Sequence, residues 1–301
     1  MAPLRSRSRR RAVLTAALLA VTALPGSPGP AAAQPAGGTP PPGASIARSA
    51  TAAPGPPAPA ALSCPLRTVA TALVAAVPDG RTLRLADGRE AVLAGIEVAP
   101  AASAAGAASR DALAALVAGR EVDLRQGVPL PDRWGRLAAW ASVEEGARSL
   151  QLVLLAQGHA RVAARVEDQA CMPALRAAER AARAALLGLW SDPVYAVLAA
   201  ERPAEILKRR GEFAVVAGRV DSVRESGATI YVNFGRRWSE AFAATIPKRI
   251  ERALAAAGLD PGRLAGRRIE VRGVVEQRGG PRIEILRAEQ LTVGGRPDET
   301  R

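Results

Sequence analysis

The segment Asn233-Phe234-Gly235-Arg236-Arg237-Trp238 sets aromatic rings beside two guanidinium groups. Rings stack on bases and guanidiniums pair with phosphates, so Arg236 and Arg237 are candidate nucleic-acid contacts. A core phenylalanine flanked by solvated arginines explains the same residues, and that alternative stays open. Lys208-Arg209-Arg210 is a second basic run, read as part of a linker. The single histidine, His159, lies on an apolar helical stretch and has no catalytic partner beside it in the sequence, so packing accounts for it. The two cysteines, Cys64 and Cys171, are too few and too far apart for a structural zinc site. A disulfide between them is the expectation in an oxidising compartment, with two buried thiols as the alternative.

These residues sit in a chain of 301 with a formal charge of +13. Setting aside the five arginines among the first eleven residues leaves 36 basic against 28 acidic groups. A basic surface attracts phosphates. Here the excess is nearly all arginine, in a chain crowded with Ala, Gly and Pro, which weakens that argument. An arginine-rich start, an apolar run from Ala12 to Leu24 and Ala31-Ala32-Ala33 predict a cleaved secretory signal over residues 1–33, and export to a periplasmic or extracellular space. The apolar run falls short of the roughly 20 residues that span a bilayer and is broken by Pro25, so no membrane span is expected in the mature chain. Residues 34–62 are Pro/Ala-rich without hydrophobic period and read as a disordered linker. The expected division then runs 63–195 for a first domain, 196–211 for a linker, 212–294 for a second domain and 295–301 for a disordered tail.

From Thr68 onward, β-like runs at 68–77, 81–85 and 90–97 are separated by Pro78-Asp79-Gly80 and Asp87-Gly88, both turn formers. A helix over 103–117 follows, with Ser103 able to cap it, and then strands at 121–125 and 136–143. Three strands, helix, two strands is the chain order of an oligonucleotide-binding (OB) barrel. Helices over 149–157 and 172–187 are expected to pack under it. A second cycle of strands, helix and strands runs from Phe213 to Leu286, and the alternation in Arg268 to Glu276 suits a half-buried strand. The predicted fold class is α+β, mainly β with α: an OB barrel with packed helices, followed by a second, smaller OB-like barrel. Another small mixed barrel is the alternative for the second.

Over Val69 to Trp190 the first domain resembles the thermonuclease (staphylococcal-nuclease-like) family. Val77-Pro78-Asp79-Gly80-Arg81-Thr82-Leu83 resembles its V-x-D-G-D-T turn, and Leu93-Ala94-Gly95-Ile96-Glu97 resembles the L-x-G-I-D strand end. Asp132-Arg133-Trp134-Gly135-Arg136 is similar to D-R-(aromatic)-G-R, Leu154 to Ala160 to the L-x-x-x-G-x-A helix, and Gly188-Leu189-Trp190 to the closing G-(hydrophobic)-W. Five patches in order and spacing carry the resemblance; none does so alone.

The resemblance implies calcium-assisted hydrolysis of DNA and RNA, in which carboxylates hold the ion, a glutamate activates water and two arginines neutralise the phosphoryl charge. Carried over, Asp79 and Glu97 are the metal-ligand candidates, and Arg136 is the surviving catalytic arginine. Arg81 replaces the second aspartate of the turn and puts positive charge where the cation belongs. Arg81 and Arg136 are then candidate phosphate contacts. Val92 stands for the other arginine, and no carboxylate follows Glu97 to act as base. Bland readings remain: Asp79 holding its own turn, Glu97 as a strand-end charge, Arg136 paired with Asp132. The expectation is a catalytically degenerate nuclease homologue that binds nucleic acid, with no cofactor, or calcium only if the site is active. The alternatives are a working phosphodiesterase recruiting Glu90 or Asp111, and an envelope protein-interaction module; the sequence names no protein partner.

Overall fold

The computed structural model describes residues 62, 64–126 and 135–294. The expected signal, nearly all of the tether, Asp132-Arg133-Trp134 and the tail lie outside the described residues. The first domain opens with β1 (Arg67–Asp79), β2 (Thr82–Leu85), β3 (Glu90–Leu93) and β4 (Ile96–Glu97), followed by α1 (Ala104–Val117). Next come β5 (Glu121–Gln126), β6 (Leu137–Val143), β7 (Arg148–Ser149), α2 (Leu150–Ala156), β8 (Arg161–Val162) and α3 (Met172–Ala184). Long β1 bonds β2 with one half and β5 with the other, β2 continues to β3, β3 runs parallel to β6, and β6 returns antiparallel to β5. That cycle closes the barrel expected from the strand order.

Local chemistry explains the punctuation. Ser103 caps α1, its Oγ accepting the Gly106 N–H at 3.0 Å. The two motif glycines, Gly158 and Gly188, both have positive φ, 74° and 51°. They touch each other where the end of α2 crosses the segment after α3: a Cβ on Gly158 would overlap the Leu187 carbonyl, and the Leu189 N–H donates to the Gly158 carbonyl at 2.8 Å. Only glycine fits both faces of that crossing. Cys64 and Cys171 are disulfide-bonded with Cα atoms 5.2 Å apart, tying the entry to β1 to the start of α3 across 107 residues. On the chain-entropy account such a closure stabilises by about 4–5 kcal/mol. Leu62, placed by sequence at the end of the tether, is buried in this core.

The expected linker 196–211 is structured. It forms β9 (Leu198–Ala199) and α4 (Pro203–Leu207), and Ala200 and Ile206 are buried in the core of the second domain. That domain continues with β10 (Phe213–Arg219), β11 (Ser222–Ser226), β12 (Thr229–Asn233), β13 (Ala243–Pro247), α5 (Glu251–Ala256), β14 (Arg268–Val274), β15 (Glu276–Arg278), β16 (Gly280–Glu284) and β17 (Leu291–Val293). The bent pair β10/β11 meets β14 and β12, β12 meets β13, β13 runs parallel to β16, and β16 returns to β15, which continues β14. The pairing cycle of the first barrel is thus repeated, with β9 and β17 added as outer strands.

The two barrels meet through charge. Arg272 of β14 is 1 % exposed; it bonds Glu179 of α3 at 2.9 Å and Glu270 at 2.7 Å, and donates to the Val162 carbonyl at 2.8 Å. Glu179 in turn accepts the Val162 N–H at 2.7 Å. Arg183 reaches Glu270 at 2.7 Å from the same helix. Burial opposes the charge on Arg272, but Glu179 and Glu270 more than offset it and raise its pKa above the ordinary value.

Candidate functional site

At the β1–β2 turn, Asp79 spends both carboxylate oxygens locally. One accepts the Arg81 N–H at 2.8 Å, the other the Thr82 hydroxyl at 3.0 Å. Such Asx geometry fixes the tight reversal. It sends the Arg81 side chain across to β4, where the guanidinium pairs with Glu97 at 2.9 Å. The strand holding Glu97 is short and pairs with β8, Glu97 opposite Arg161. Arg161 is buried, stacked over the rings of Phe213 (4.8 Å) and Tyr195 (5.4 Å). Burial pushes its pKa down to about 10, against the pull of Glu97 and Glu179. Glu97 therefore lies between two arginines.

This constellation does not fit calcium, which asks for six to eight oxygen ligands. One carboxylate is occupied by a turn and the other by a guanidinium. Among the described residues no three His, Cys, Asp or Glu side chains converge. A dication entering beside Arg81 would meet repulsion of about 4 kcal/mol per unit charge at 4 Å and an effective dielectric of 20.

Of the residues predicted from sequence, Asp79, Arg81 and Glu97 are brought together. Arg136 stands outside that turn along the backbone. It precedes β6, whose Ala139 is opposite Leu93 of β3, and Leu93 donates to the Arg81 carbonyl. Arg136 is thus two strands away from Arg81 and about 10 Å back along the strand direction. Val92, in place of the family's other arginine, is half-buried in β3. His159 is half-buried, its carbonyl accepts the Ser109 hydroxyl at 2.7 Å, and burial lowers its pKa. It serves packing.

In the second barrel Phe234 is buried against Phe242, ring centroids 5.0 Å apart, which settles it as core. The β12–β13 loop beyond it presents Arg236, Arg237 and Trp238 to solvent, the indole 75 % exposed. Arg237 has only a loose contact with Glu240 at 3.6 Å. The β15–β16 turn abuts this loop, Gly279 lying against Ser239. Beyond the turn a groove of ≈ 630 Å³ runs over the barrel face, lined by Arg210, Tyr231, Thr245, Arg278 and Arg282 among others. Tyr231, Arg278 and Arg282 were not read from the sequence. The signal was present in β12, where Tyr231 alternates with buried Ile230 and Val232 and so must face outward.

A closed OB cycle with α1 between its third and fourth long strands and two helices beneath is a nuclease-type frame. Residues 92–192 match the family described as staphylococcal nuclease homologue, so the first domain is a thermonuclease-like domain. The match begins at Val92, past the turn that carries Asp79 and Arg81. No curated protein matches the chain. Among the described residues no helix is long and apolar enough to cross a membrane.

Proposed function

We propose that this is an exported, non-catalytic relative of the nucleases that binds single-stranded nucleic acid, chiefly on its second barrel. The observation that carries the reading is the exposed Trp238 beside Arg236 and Arg237, in a loop that borders the Tyr231 groove. An exposed indole offers a face to a base, and a base stacked on it contributes about 1–3 kcal/mol. The adjoining guanidiniums of Arg236 and Arg237 supply phosphate contacts, and Arg136 adds one on the first barrel. The Arg81–Glu97 pair argues against metal-assisted cleavage. Phosphate contact by Arg81 requires it to exchange Glu97 for the phosphate. The Cys64–Cys171 disulfide supports an oxidising destination.

The test is fluorescence anisotropy with labelled single-stranded DNA and RNA across a salt series, beside a cleavage assay with calcium and with chelator. Affinity is expected to fall steeply with salt, log K dropping by about 0.7 per phosphate contacted for each decade. Trp238→Ala should weaken binding roughly tenfold or more, and no cleavage should occur in any condition. Calcium-dependent cleavage lost in Arg136→Ala would overturn the reading and restore an active nuclease. Absence of nucleic-acid binding at any salt would point instead to a protein partner.

A further inference from the structure

A cleft of ≈ 600 Å³ separates the two barrels, and the nucleic-acid surface proposed above does not include it. One wall is α3, contributing Arg176, Arg180 and Arg183; the other is the sheet of the second barrel, contributing Arg268 and Arg272 from β14. Two carboxylates, Glu179 and Glu270, line it as well. Five guanidiniums thus face two acids, and three positive charges stand unmatched.

The surplus is not evenly held. Arg272 and Arg183 are committed to the carboxylates at 2.7–2.9 Å, while Arg176 reaches only the Glu289 carbonyl, at 2.6 Å. Arg180 and Arg268 are exposed, and among the described residues their guanidiniums have neither hydrogen bond nor ion pair. They approach from opposite walls. Between them the lining turns apolar, with Leu186, Leu198, Ala217 and the ring of Trp190. Trp190 is 5 % exposed, and its indole N–H has no acceptor; the Thr292 hydroxyl on the facing strand is likewise buried without a partner. Orphaned buried donors are uncommon in native proteins and mark places where a ligand or solvent completes the bonding. A cleft of this size falls in the range of small-molecule sites, not of helical or strand partners.

We propose that the cleft is a binding site for a phosphate monoester of nucleotide size, its phosphate clamped between Arg180 and Arg268. A monoester phosphate carries close to two negative charges at neutral pH, against one on a carboxylate, and so neutralises more of the surplus. Planar guanidinium forks match its oxygens in a bidentate manner. The organic body lies on the apolar lining. Burial, and next the charge of Arg272, push the Arg176 pKa down to about 10 in the protein alone. An anion in the cleft relieves that repulsion.

The test is isothermal titration of the full protein with a nucleoside 5′-monophosphate, with the parent nucleoside and with inorganic phosphate. Saturable binding of the monophosphate is expected, with weaker binding of inorganic phosphate and none of the nucleoside. Arg180→Ala and Arg268→Ala remove side chains without partners, so the fold should stand, as an unchanged melting temperature verifies. Each should weaken binding about tenfold, the loss of one charge-assisted contact. The Arg236→Ala/Arg237→Ala protein should bind the monophosphate as the native protein does, which separates this cleft from the nucleic-acid surface. No saturable binding, or binding indifferent to the loss of both Arg180 and Arg268, overturns the site. Equal binding of the nucleoside overturns the phosphate clamp, and equally tight inorganic phosphate overturns the role of the apolar lining.

Discussion

Arg81 and Glu97 show how a single side chain can replace a cation with one of its own. The guanidinium contributes one positive charge fixed by a covalent tether, so the carboxylate is satisfied at every calcium concentration. Both side chains are about a third exposed, 36 % and 31 %, which limits the pair to about 0.5–1 kcal/mol. Arg81→Ala should therefore lower stability by that amount in urea denaturation, and calcium should leave the native melting temperature unchanged. His159 gives a pH signature. Its folded pKa lies below the ordinary 6.5, so on acidification the unfolded chain takes the proton first. Stability from this residue is present above pH 6.5, is lost as pH falls from there to the folded pKa, and is level below. Melts at pH 7.5 and 5.5 should show a smaller loss on acidification in His159→Asn than in the native protein. The positions of Asp79, Arg81 and Glu97 were legible through the turn and strand-end motifs, but the Arg81–Glu97 pair was not, because β4 is placed by its pairing with the distant β8. Phe234 was ambiguous because a strand end gives too few alternating positions to tell inside from outside.

Among the elements, α3 ends against its own chemistry. The Leu187 N–H donates to the Ala182 carbonyl and the Leu186 N–H to the Arg183 carbonyl, which is a Schellman ending with Leu186 at the left-handed position, φ 51°. Leu186 is also 65 % exposed. Leu186→Gly removes the strain of a branched residue there and should stabilise by about 1 kcal/mol, visible as a rise of a few degrees in melting temperature. Strand order and the capping of α1 were readable because period-two runs and turn dipeptides are local signals. The segment 196–211 was not. Its strand β9 is two residues long and is held by parallel pairing to β10, and α4 is barely one turn, so neither offers a period to detect.

For the whole molecule the decisive contacts are long-range. Arg272 and Glu179 are 93 positions apart, and no local pattern announces a buried arginine inside an alternating strand. Arg272→Ala would leave Glu179 buried without its cation, at a cost of about 3–5 kcal/mol. Calorimetry should show one transition for the native protein and separate transitions for the two barrels in the variant. α3 is consequently a shared wall: it begins at the disulfide, lies beneath one barrel and neutralises the other. The two barrels are in that sense not interchangeable cassettes. Because the contact is ionic, either barrel freed of the other would return Glu179, Arg161 and Arg183 to water as solvated charges, and what separation loses is the fixed placement of one barrel on the other.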